Sequence, residues 1–166
     1  NGESMTDLAK LQEALNSGDD LSAVIRAHIH VEAMLDTLIE SHFEIPEKLR
    51  SLKLQFHQKV VIAEAIGFKS EHASTLKTLG TIRNSFAHKD ETKLGKAEAN
   101  SLYSSFKGDQ KTTIQNAYSK TKISLDMKGP KTVTKLDPRQ QFTLFVVAID
   151  NILACAIEEL VNEKSK

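Results

Sequence analysis

Apolar residues along this chain recur at spacings of three and four, and that period predicts one helix after another. Leu8, Leu11 and Leu15 open the pattern, and Ser17-Gly18 stops it. Asp19-Asp20 is placed to cap a second helix reaching about residue 43. Its stripe is Leu21, Ile25, His28, Glu32, Leu35, Ile39 and His42. Ile45-Pro46-Glu47 interrupts it, because proline lacks an amide donor and disfavours a helical residue before it. A third helix is predicted over 52–66, with Phe56, Val60 and Ala63 on one face and Gly67 as its terminator. A fourth covers 70–86 and turns Leu76, Leu79, Ile82 and Phe86 inward, and a weaker fifth covers 92–106.

The segment 107–136 reads less clearly. Ile114, Ala117 and Tyr118 suggest a helical turn or two, whereas Ile123 and Leu125 alternate with polar residues and also suit a short strand. Gly129-Pro130 marks a turn. The last helix, over 138–163, has the fullest pattern. Asp137 caps it, Pro138 takes the first helical position and Gln140 stands where a capping box places it. Phe142, Phe145, Val146, Ile149, Ile152, Leu153, Ala156 and Leu160 form its stripe. The expectation is an all-α, single-domain helical bundle of about six helices over residues 6–166. Residues 1–5 are set aside as an expression remnant or an unstructured start.

Composition narrows the class. At 166 residues, 40% hydrophobic and 27% charged, the chain can bury a core without staples. One cysteine excludes a disulfide framework and a cysteine-rich zinc site, and Cys155 between Ala154 and Ala156 is expected to be packing. No window is apolar over the roughly 18–20 residues a bilayer crossing needs, and no basic segment precedes an apolar run at the start. No membrane association and a cytoplasmic location are therefore expected. There is no Walker loop, dinucleotide fingerprint, nucleophile elbow or Cys-x-x-Cys, and no helix-turn-helix with basic recognition residues. No cofactor and no metal are expected.

Charge is balanced overall, with 22 cations and 22 anions, but not along the chain. Between Lys107 and Arg139, eight cations face three anions. Lys120, Lys122, Lys128 and Lys131 are the candidate nucleic-acid contacts in this stretch. Its plainer reading is a solvated connection. Tyr103 and Tyr118 flank it, either stacking on bases or packing into the core.

Two groups of polar residues stand in apolar rows. His28, Glu32 and Asp36 follow one another at i, i+4 and i+8. They read as part of a metal site needing ligands from elsewhere, as a buried hydrogen-bonded pair, or as counter-charge for an arginine. That arginine is Arg83, which falls in the row of Leu76, Leu79 and Phe86. A guanidinium there is costly unless paired or placed at an interface. The counter-charge reading accounts for Arg83, Glu32 and His28 together. His88 follows Arg83 by five residues, so the two converge only where the helix ends or across a two-fold axis. Brought together, a histidine can move a proton of a ribose hydroxyl while an arginine steadies charge on phosphate. Asn84 adds a neutral donor. The alternative is that Arg83 and His88 only tie helix ends together.

The run Arg83-Asn84-Ser85-Phe86-Ala87-His88 resembles the Arg-x4-to-6-His signature of the HEPN superfamily. The wider stretch from Leu54 to Glu91 is similar to the mannitol operon repressor branch, and the resemblance spans about residues 20–92. It implies a helical bundle that commonly forms a homodimer. In ribonuclease members it implies that Arg83 and His88 of both subunits line one metal-free RNA-cleaving cleft, with Asn84 auxiliary; Glu32 and His28 are supporting candidates on the counter-charge reading alone. The superfamily also has non-catalytic members, and the repressor branch is regulatory. The expected function is a non-enzymatic transcriptional or stress regulator that binds a protein or nucleotide partner. The alternative is a metal-independent endoribonuclease of toxin or defence type.

Overall fold

The computed structural model of the chain describes residues 10–88, 93–124 and 128–164. Among them are eight α-helices and one 3-10 turn, with no strand. The helices are α1 (10–16), α2 (Asp20–Glu40), α3 (Pro46–Arg50), α4 (Phe56–Ala65), α5 (Ser70–His88), α6 (Lys96–Ser105), α7 (Gly108–Ser124) and α8 (Pro138–Lys164). The all-α bundle expected from the sequence is the architecture found.

Local chemistry sets the boundaries. Asp19 caps α2 by accepting from the Ser22 amide at 2.8 Å. Asp137 does the same for α8, accepting from the Gln140 amide at 3.0 Å. The third expected helix begins later than its pattern suggested. Lys53 adopts a left-handed conformation with φ of 49°, and Gln55 with Gln58 forms a capping box that starts α4 at Phe56. Gly67, at φ of 108°, ends that segment as expected. The 107–136 stretch departs most from its sequence reading. It contains a helix of 17 residues, and Ile123 lies in that helix rather than in a strand. Leu125 lies outside the described residues, as do residues 1–5.

Helix α2 is the central element and packs against α4, α5 and α8, while α6 bridges α5 and α8. Two polar ties set the register of α2 against α8. Arg139 Nη1 meets Asp20 Oδ1 at 2.6 Å, and His30 Nε2 meets Asp150 Oδ1 at 2.6 Å. Successive ties in the same chain direction make the two helices parallel. The core between them contains Phe142, Phe145, Val146, Ile149 and Leu153 of α8, as the stripe predicted. On α5, Leu76, Leu79, Ile82 and Phe86 are likewise buried. The α2 stripe is rotated from expectation. Val24, Ala27, Val31, Leu35 and Leu38 are buried, whereas Glu32 is half-buried and His42 exposed.

Candidate functional site

The polar residues singled out on α2 meet α4 along one seam. His28 is buried and its ring lies 4.4 Å from that of Phe56. Phe56 in turn fits against Gly80, where an added Cβ would stand 3.1 Å from the phenyl ring. A glycine inside α5 thus lets α4 approach closely. Beside this contact, Lys59 Nζ donates to Glu32 Oε1 at 2.9 Å and to Asp36 Oδ2 at 2.8 Å. His28 Nδ1 sits 3.7 Å from Glu32 Oε2.

This arrangement corrects the expected role of Glu32 as partner of Arg83. Glu32 is engaged by Lys59, whose side chain is only 14% exposed. The ammonium occupies the place between Glu32 and Asp36 that a metal reading would give to a cation. Among the described residues, no group of three or more His, Cys, Asp or Glu side chains is arranged to hold a metal. His28 does not supply counter-charge either. Burial pushes its pKa below the ordinary imidazole value against the opposing pull of Glu32, and the charges of Arg83 and Lys59 push it further down. Lys59 is held above its usual value: burial opposes the charged form, but bonds to Asp36 and Glu32 outweigh it. The signal for Lys59 was present in the sequence, since it stands beside Val60 between the apolar positions Phe56 and Ala63.

Arg83 is half-buried on α5 and donates from Nη1 to Asn84 Oδ1 at 3.0 Å. No carboxylate of the described residues lies within ion-pair distance of it. Asn84 and His88 are exposed, and His88 is the last residue of α5. Arg83 and His88 thus stand on one helix, but among the described residues no contact joins them.

The basic stretch is largely absorbed by its own chain. Lys111 lies 5.0 Å from the Tyr103 ring centroid, and Tyr103 stacks on Phe145 at 5.5 Å. Tyr118 donates its hydroxyl to the Pro130 carbonyl at 2.9 Å. Both tyrosines therefore serve packing rather than an open stacking surface. Lys122 donates to the Gly129 and Pro130 carbonyls. Arg139 is spent on Asp20 and on the Leu15 and Ser17 carbonyls. Of the four candidate contacts, Lys120, Lys128 and Lys131 are exposed.

A cavity of about 1000 Å³, absent from the sequence reading, lies between α7, α8 and the α4–α5 connection. Its walls include Phe68, Phe106, Ile114, Leu144, Ala148 and Ile152. Cys155 also lines it and is exposed, which overturns its expected role as buried packing. No helix among the described residues is long and apolar enough to cross a membrane.

No family model, curated protein or solved structure matches this chain.

Proposed function

We propose that this protein is a non-enzymatic, dimeric binding module of HEPN type, a transcriptional or stress regulator that uses the Arg83 face of α5. The observation that carries the reading is the setting of Arg83. It is a half-buried guanidinium bonded to Asn84, with no carboxylate partner among the described residues. An uncompensated charge in that position is costly. A second copy or an anionic partner that supplied acceptors would remove the cost.

Two further facts favour binding over cleavage. Glu32 and His28, which would support a catalytic pair, are engaged with Lys59 and Phe56 instead. Lys122 and Arg139 bond to their own chain, which reduces the cationic surface left to grip a phosphate backbone. The ribonuclease alternative rests on one observation, the exposure of His88 five residues beyond Arg83.

Sedimentation velocity across a concentration series tests the dimer. The wild type should sediment as a dimer. Arg83→Glu should weaken it by about tenfold or more, the equivalent of one lost charge-assisted contact, with unchanged helicity. A wild-type monomer at every concentration would overturn the proposal.

A further inference from the structure

The cavity between α7 and α8 has an unusual roof. Ile114 is the one buried side chain among the described residues of α7. The helix is instead suspended by polar ties. At its start, Gln110 bonds His72 of α5. At mid-helix Gln115 bonds the Lys131 carbonyl and the Val133 amide, and further on Tyr118 and Lys122 bond the Gly129-Pro130 turn. Between α7 and α8 these ties leave a space lined mainly by aliphatic and aromatic side chains, with polar residues among them. At about 1000 Å³ the space lies at the upper end of the usual range for small-molecule sites, about 300–1,000 Å³.

The cavity is long and its ends differ in charge. Its lining on α8 runs from Gln140 to Leu160, roughly 30 Å of helix. Helix α7 runs antiparallel to that wall. Its first turn bonds His72, and Lys69, Asp109 and Glu159 line the cavity with it, Glu159 marking the α8 C-terminal end. The opposite end has Lys122 and Lys128 with the amide of Gln140, and no carboxylate among the lining residues there. Lys122 spends two of its three donors on backbone carbonyls, which leaves one. Thr143, one turn beyond Gln140, has a buried hydroxyl without a hydrogen-bond partner.

We infer that this trough binds a single-chain amphiphile with an anionic head, a long-chain fatty carboxylate. Its tail lies along α8 and its head at Lys122 and Lys128. The apolar length selects a chain rather than a compact solute, and the cationic end selects the head. The site uses neither Arg83 nor His88, so it stands independently of the regulator reading.

Palmitate, below its aggregation concentration, is the probe, and the chain's sole cysteine is the reporter because Cys155 lines the trough. Native mass spectrometry should show one palmitate per chain. Maleimide modification of Cys155 should slow about tenfold or more at saturation, since the reagent needs an accessible thiol. Lys128→Glu, at an exposed position, should weaken palmitate about tenfold and leave hexadecanol binding unchanged. Ala148→Phe should reduce both by filling the wall. No adduct with unchanged Cys155 labelling overturns the inference. So does Cys155 protection that grows with protein concentration alone, which would assign the trough to a second copy. Protection by an amphipathic peptide but not by palmitate would also overturn it.

Discussion

Lys59 on α4 donates to Glu32 on α2 at 2.9 Å, and Glu32 makes no ion pair with Arg83. Glu32 was the residue best placed by sequence to balance Arg83. With Glu32 committed across the α2–α4 seam, the guanidinium keeps a neutral amide oxygen as its acceptor.

Removing Lys59 should therefore cost stability rather than function. Lys59→Met leaves Glu32 and Asp36, one turn apart on α2, without the cation they share at a partly buried seam. Both carboxylates retain some solvent, so the loss should be about 1–2 kcal/mol, below that of a fully buried pair. Urea unfolding should show a lower midpoint with an unchanged slope. An unchanged midpoint would mean the contact contributes nothing.

Acid should destabilise this fold before its carboxylates titrate. The pKa of His28 is lowered chiefly by burial, and that of His72 likewise. A lowered folded value means that the unfolded chain binds more protons as pH drops through the ordinary imidazole range near 6.5. Stability is then full above about pH 7 and falls as pH descends towards the folded values. Unfolding midpoints at about pH 7.5 and 5.5 should show this drop. His28→Gln should shrink it, because the substitute has no proton to take up. A midpoint flat across that window would contradict the burial assigned to both rings.

Arg139 should matter more than its place in a basic stretch suggests. It joins the start of α8 to Asp20 and to the carbonyls that end α1. Asp20 also accepts from the Leu94 amide at 2.7 Å, so one carboxylate links three segments. Arg139→Ala should destabilise by about 2 kcal/mol, the usual scale for charge-assisted bonds at partly buried sites. Lys131→Ala, at an exposed position, should change stability by no more than about 0.5 kcal/mol. Equal effects from the two variants would mean that Arg139 is no more structural than a solvated cation.

Helix periodicity carried most of the fold. The α5 and α8 stripes were legible because each helix buries one face with long aliphatic and aromatic side chains. The α2 stripe was misread because that helix packs on three neighbours, so its buried arc is wide and includes the small residues Ala23 and Ala27. Helix α7 was hidden because it buries little and is held by side chains reaching backbone carbonyls, which leave no periodic mark. The same cause concealed the cavity, whereas Cys155 looked like packing because it stands between Ala154 and Ala156 on an apolar helix. At the candidate site, Arg83 and His88 were found by type and spacing, but Lys59 was not weighed. Spacing along one helix says nothing about which cation arrives from the next.

On the proposed function, the Arg83 and His88 end of α5 binds rather than cuts. The most direct measurement is incubation of a mixed RNA pool with the folded protein in EDTA, alongside Arg83→Ala and His88→Ala. Intact RNA in all three samples is the predicted result. Cleavage by the wild type, lost in both variants and leaving cyclic phosphate ends, would contradict the account and establish a metal-independent ribonuclease.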